Sequence, residues 1–222
     1  MQNGLSTLQI RIKHTGDDVT QIIPMSFRFK GNRDYIHGPD IYNEMIRSVA
    51  THYGRDGLGK LRLTMRKFAT KQCDMTFGDL QDTPLISKRI VSELIIDTDR
   101  GREMFRLVET DKPIHERYNF DESLIENISK IDNHRIILAQ DSGYSEIEIA
   151  VSLTKQLHNN FFPSDNARWI VTMVDLDKPL SKQYGAISSV KFEQGFGDRL
   201  TRSQIMSGDT ILGRIYFSLV GK

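Results

Sequence analysis

The chain has one cysteine, Cys73, so no internal disulfide can form and a four-thiolate zinc site is out of reach. It has no excess of charge of either sign. Thirty Lys and Arg stand against 29 Asp and Glu, a net charge of +1, which argues against a polyanion-seeking protein and leaves only a local patch open. No window approaches the roughly 18 uninterrupted apolar residues of a membrane span. The opening Met1-Gln2-Asn3-Gly4 has no basic stretch leading into an apolar one, so no secretory signal is expected. Low-complexity tracts and Pro/Gly/Ser linkers are missing. There is no G-x-S-x-G elbow. His14, His52, His115, His134 and His158 form no i, i+4 pair and no Cys-His spacing, so neither a metal nor another cofactor is expected. What remains is 222 residues, 38% hydrophobic and 27% charged. That describes a globular, cytoplasmic protein of one large domain or two small ones.

Three segments carry helical period. Pro39 to Tyr53 places Ile41, Met45, Ile46, Val49 and Tyr53 on one side, with Pro39 suited to the first turn, Asp40 to the positive end and Gly54 to the stop. Asp121 to Ile131 places Leu124, Ile125, Ile128 and Ile131 in a stripe. Ser145 to Phe161 opens on the capping box Ser145-Glu146-Ile147-Glu148, and its apolar residues cover more than one face, which predicts burial on several sides. Strands are expected at 22–29, 61–66, 90–96, 103–108, 135–138, 167–174, 190–196 and 211–220. Thr98-Asp99-Arg100-Gly101 reads as a hairpin turn and Ser207-Gly208-Asp209 as the turn before the last strand. High strand content with two well-separated helices predicts an α+β protein with an antiparallel sheet.

A faint internal repeat accompanies this order. The first helix leads through a short loop to a strand holding Leu63-Thr64-Met65; the last leads through Pro163-Ser164-Asp165-Asn166 to one holding Val171-Thr172-Met173, 108 residues on. Arg106-Leu107-Val108 and Arg214-Ile215-Tyr216 then fall in comparable places. This order resembles the hotdog fold, in which an antiparallel sheet wraps around one long central helix. Two units in tandem would make a double hotdog, with residues 1–112 as the first half and 113–222 as the second. Edge-to-edge joining of two half-sheets would remove two exposed edges.

The resemblance implies an acyl-thioester protein of dehydratase or thioesterase type, acting on acyl-CoA or on an acyl carrier protein in fatty-acid-like or polyketide-like metabolism. In such enzymes the loop before the central helix and the start of that helix supply catalytic groups. Here that stretch is Asn32 to Glu44, and Asp34-x-x-His37-Gly38 resembles the Asp-containing loop of the thioesterases, with the glycine and histidine in reversed order and without the His-Phe-Pro-Gly string of dehydratases. Histidine titrates near neutrality and can serve as a base without much tuning. A carboxylate can orient it or act itself, and unpartnered N–H groups at a helix start can polarise a thioester carbonyl. The candidate catalytic residues are His37 with Asp40 or Glu44, and Asp34. Gly38 would let a ligand approach the backbone, and Ile41, Met45 and Val49 would line an apolar groove. The plainer reading is that Gly38-Pro39-Asp40 only starts a helix and His37 is a loop residue.

A local basic cluster comprises Arg55, Lys60, Arg62, Arg66, Lys67 and Lys71, and on the predicted strand Arg62, Thr64 and Arg66 share one face. This is a solvated sheet face, or a docking patch for an acidic carrier protein or the phosphates of coenzyme A. Nucleic acid is not an expected partner, because no basic strand is interleaved with aromatics. A homodimer is compatible with the reading. Gly54-Arg55-Asp56-Gly57-Leu58-Gly59-Lys60 matches the front of a P-loop, but Leu61 stands where a hydroxyl is needed and the loop follows a helix instead of opening one. In register with the repeat, His37 falls on Ser145 and Glu44 on Ser152, so one half alone would keep candidate chemistry. The competing class is a non-catalytic binding module or complex subunit on the same scaffold.

Overall fold

The computed structural model describes residues 11–15, 18–78, 87–163, 167–181, 186–197 and 199–221. Helix α1 (Gly38–Tyr53) starts where His37 turns extended (φ −70°, ψ 138°) and Pro39 enters the first turn. It ends where Gly54 takes φ +78°, a conformation that a Cβ would strain. Its apolar stripe of Ile41, Met45, Ile46 and Val49 is buried, as the period predicts. Met45 receives the Ser92 hydroxyl at 3.4 Å, and Tyr53 packs edge-on to Phe105.

The segment from Asp121 to Ile131 departs from expectation. It forms a single turn, α2 (Ser123–Glu126), preceded by Asp121, whose Oδ1 accepts the Ser123 N–H at 3.0 Å. Ser129–Asp132 leaves helical geometry and becomes strand β9, paired to β10 (Arg135–Leu138). Leu124 stays exposed, so a longer helix would have buried little, and strand pairing wins. Helix α3 (Glu146–Phe161) has the expected capping box: Glu148 accepts the Ser145 N–H at 2.9 Å. It buries residues on every side, from Ile147 and Ile149 to Leu153, Leu157 and His158.

The remaining strands are β1 (Arg11–Thr15), β2 (Asp18–Pro24), β3 (Phe29–Lys30), β4 (Leu61–Met65), β5 (Lys71–Phe77), β6 (Ile90–Thr98), β7 (Gly101–Pro113), β8 (Arg117–Tyr118), β11 (Ala167–Leu176), β12 (Ser189–Phe196), β13 (Leu200–Ser207) and β14 (Thr210–Gly221). Twelve of the strands form one antiparallel sheet in the order β1-β2-β5-β7-β6-β4-β11-β14-β13-β12-β10-β9. The expected 22–29 strand splits, because β3 leaves the sheet to pair in parallel with β8. The strand after Pro163 is as expected, whereas most of the loop before it lies outside the described residues. The hairpin at Thr98–Gly101 is closed by that very pair.

Each of the two long helices has its own stretch of this sheet to pack on. Helix α1 packs on β5, β6 and β7, and α3 on β10, β11, β12 and β14. The seam is β4 against β11, with Thr64 opposite Met173 and Leu63 opposite Val174, so the repeated tripeptides meet at the junction. One correction to the repeat follows from the strand order. Counting outward from the seam, the first half reads β4, β6, β7, β5 and the second β11, β14, β13, β12. Arg106-Leu107-Val108 therefore lies three strands from the centre and Arg214-Ile215-Tyr216 two. In the first half β5 and β6 run the same way with β7 between them; in the second, β12, β13 and β14 form a meander that brings β14 back beside β11. A single apolar cluster runs through both halves, from Ile23 and Phe105 to Val190 and Phe217.

Candidate functional site

The α1 N-terminus abuts the seam. A Cβ on Gly38 would come within 2.8 Å of Val171 Cγ1 and 3.5 Å of Met65 Cε, so only glycine lets the helix start lie this close to β4 and β11. Beside it opens a cleft of about 1210 Å³. Its walls come from the loop before α1 (Arg33 to Gly38), from β11 (Arg168 to Thr172), from the residue before α2 (Glu122) and from α3 (Val151, Lys155). Ile41, Val151, Trp169, Val171 and Phe217 make the lining apolar, and cations stand around it.

His37 lines this cleft. Its Nδ1 is buried without a hydrogen-bond partner. Burial first, then the charges of Arg33, Lys30 and Lys155, hold its pKa well below the ordinary imidazole value, so the ring is neutral at physiological pH. Phe120 lies 6.2 Å away, ring centre to ring centre. Glu122 accepts from Lys155 at 2.7 Å, from Arg33 at 3.5 Å and from the Ser152 hydroxyl at 3.3 Å. Two cations on one carboxylate leave this wall with a surplus positive charge.

Behind the wall lies a second cluster. Lys30, on β3, is fully buried. It pairs with Asp40 at 3.4 Å and with Glu148, and its ammonium sits 4.0 Å from the Phe120 ring centre. Asp40 and Glu148 are the third residues of α1 and α3, so one cation holds both helix starts. Tyr118 donates to Asp40 Oδ1 at 2.9 Å, while Asp40 Oδ2 is buried and unpartnered. Burial raises the Asp40 pKa in spite of Lys30 and Tyr118. Burial acts the same way on Glu148, but Lys30 and Ser145 outweigh it and hold that carboxyl below its usual range.

The predicted residues therefore separate. His37, Gly38, Asp34, Ile41 and Arg66 line the cleft. Asp40 faces the buried Lys30 and is absent from the cleft lining. Glu44 lies further along α1, nearly two turns beyond His37, and is held at the helix surface by Arg47 at 2.7 Å. Met45 and Val49 are in the closed core, with no exposed surface. Arg62 is tied to Asp175 at 2.6 Å across the seam, and Arg66, although it lines the cleft, pairs with Glu93. Lys30, Tyr118, Glu122 and Lys155 escaped the sequence reading. Their partners lie on other elements, and only the capping-box glutamate Glu148 carried a local signal. Among the described residues no group of three His, Cys, Asp or Glu side chains could hold a metal, and no helix is long and apolar enough to cross a membrane.

No family model and no curated protein matches the chain. Solved structures of similar shape include a pyran synthase domain from module nine of the sorangicin pathway (11% identity, TM-score 0.49, all of both chains covered). Another is the dehydratase domain of PpsC from Mycobacterium tuberculosis in complex with C12:1-CoA (9% identity, TM-score 0.48, 96% of this chain and 97% of that one). A third is the 12:0-ACP thioesterase from Umbellularia californica (7% identity, TM-score 0.40, 91% and 94%). Identities this low give no residue correspondences, and what the cleft can do rests on its own geometry.

Proposed function

We propose that the chain is a double-hotdog acyl-thioester-processing protein of dehydratase or thioesterase type, its two 16-residue helices each cradled by half the sheet. The observation that carries this reading is an apolar cleft with a cationic surround that ends at an uncharged imidazole on a helix N-terminus. An acyl chain would lie along Ile41, Val171 and Phe217. Its carbonyl would face the positive start of α1 and the surplus charge of the Arg33–Glu122–Lys155 wall.

His37 has Nδ1 enclosed, so Nε2 is the nitrogen that serves as base. In hydrolysis it takes a proton from water as the oxygen attacks the carbonyl; the C–S bond breaks and the thiol leaves with that proton. In dehydration it takes a proton from Cα; the electron pair forms the double bond, the β-oxygen leaves, and the imidazolium returns the proton to give water. Asp40 acts on this base only through the helix start that both share.

The test is incubation with acyl-CoA, acyl carrier protein and 3-hydroxyacyl thioesters, reading thiol release and enoyl absorbance. His37→Ala should lower either rate by about 10²- to 10⁴-fold. Unchanged turnover in that variant overturns the site. A second reading, a binding module without chemistry, is favoured by one observation: no carboxylate orients His37 Nδ1. It gains if acyl thioesters bind and neither product forms.

A further inference from the structure

The cations around the cleft are not alike. Arg66 is paired with Glu93, Lys67 with Glu109 at 2.6 Å, and Arg33 and Lys155 with Glu122. Arg117 spends its guanidinium on the carbonyls of Gly31 and Arg33. Arg168 has neither carboxylate nor carbonyl partner among the described residues. Its guanidinium carbon lies 5.4 Å from the ring centre of Tyr35 and 5.3 Å from that of Phe68, two rings that pack on each other at 4.6 Å.

Aromatic contact orders the guanidinium without engaging its N–H groups in carboxylate or carbonyl bonds. An ordered fork with unspent donors, exposed at a cleft lining, suits the anionic oxygens of a tetrahedral phosphate approached edge-on. Tyr35, Phe68 and Arg168 all line the cleft that holds His37. Resting on the acyl-thioester reading, we propose that Arg168, braced by Tyr35 and Phe68, binds the phosphate of the substrate's pantetheine-type arm, so that the thioester enters past this residue. The Arg62 and Arg66 side chains, already neutralised by Asp175 and Glu93, leave that role to Arg168.

Trp169 is the only tryptophan and lines the cleft, so its fluorescence reads occupancy. An acyl-CoA, the same acyl group on a carrier protein, and the same acyl group on N-acetylcysteamine, which has no phosphate, would be titrated into the intact protein. The phosphorylated ligands should bind about 10- to 100-fold more tightly than the N-acetylcysteamine thioester. Arg168→Ala should remove that advantage and leave the phosphate-free ligand unchanged. Arg168→Lys should keep part of it, and Lys191→Ala, on an exposed strand position, all of it. The advantage should also shrink in about 0.5 M salt, a probe condition chosen to screen surface charge. Loss with both phosphorylated ligands supports the arm's phosphate, which they share. Loss confined to the CoA thioester would place Arg168 on the nucleotide phosphates, loss confined to the carrier protein would place it against the protein surface, and either overturns the proposal. Equal binding of all three ligands by the unaltered protein overturns the Arg168 site and leaves the cleft's acyl reading standing. Failure of every acyl ligand to bind overturns both.

Discussion

The two long helices begin 108 residues apart and are built to different ends. At the start of α3, Ser145 and Glu148 close a capping box, and Ser145 also accepts from Asn43 of α1 at 3.1 Å. At the start of α1 the equivalent pair is His37 and Asp40. There the cap side chain makes no hydrogen bond, His37 Nδ1 and Asp40 Oδ2 are both buried and unpartnered, and the cleft opens beside them. One end satisfies its orphan donors and holds the fold. The other leaves polar atoms unspent next to a cavity, which costs stability and is the usual mark of a site. The difference also shows in the carboxyls: the same buried cation that keeps Glu148 ionised does not prevent burial from raising Asp40.

Lys30 is where the comparison breaks most violently, because it is the partner common to both ends. Lys30→Met fits the volume but leaves two carboxylates facing each other in a buried site. The expected loss is about 3–5 kcal/mol in urea unfolding. Adding Asp40→Asn and Glu148→Gln together should recover part of it, since neutral amides need no counter-ion. Loss of less than about 1 kcal/mol in the single variant would show that the clamp does not join the halves.

A second contrast lies one turn before each helix ends, where Ala50 in α1 corresponds to His158 in α3. His158 is fully buried, with both nitrogens unpartnered, among Trp169, Phe217, Phe192 and Phe162. Burial lowers its pKa from 6.5 to about 4. The unfolded chain therefore takes up the proton first. Stability is full above the unfolded value and falls as pH drops from about 6.5 to about 4, by roughly 3 kcal/mol in all. His158→Phe should remove that acid loss, measured as the slope of unfolding free energy against pH. Part of the slope will persist, because His37 is held low in the same direction. An unaltered slope in the variant would mean that His158 has a partner in solution.

These contrasts were only partly legible in the chain. The starts and stops of α1 and α3 were readable, because proline, glycine and a capping box act locally. β5 was missed although Cys73, Met75 and Phe77 alternate inward, since Lys71, Gln72 and Asp74 mask the pattern. In β13 the inward positions include Thr201 and Ser203, so the alternation hardly registers as hydrophobic. The swap of β6 and β7 relative to β13 and β14 is a matter of which strand docks beside β4, and no local residue encodes it. Lys30 gave no signal for the same reason: its second carboxylate lies 118 residues away. His37 was legible as a residue of the right chemistry at a helix start. The carboxylate expected beside it was not, because the neighbour in sequence, Asp40, faces inward to Lys30, and Glu122, just before α2, is taken by Arg33 and Lys155.

The mildest change is the sharpest test of the two helix starts. His37→Ser copies into α1 the cap residue that α3 already has. Pro39 offers no N–H, so the introduced hydroxyl could accept only from the Asp40 N–H, which in the unaltered chain reaches the His37 carbonyl at 2.9 Å. The substitution also removes the enclosed, unpartnered Nδ1. Thermal or urea unfolding should therefore show a gain of about 0.5–1 kcal/mol, while any acyl-thioester turnover is lost. Stability gained as activity disappears is the expected signature of an end where the cap was given up for chemistry. A variant that unfolds more easily by about 1 kcal/mol or more would instead make the imidazole a packing element against Phe120, and α1 and α3 would then differ in how they are filled, with no difference in what they do.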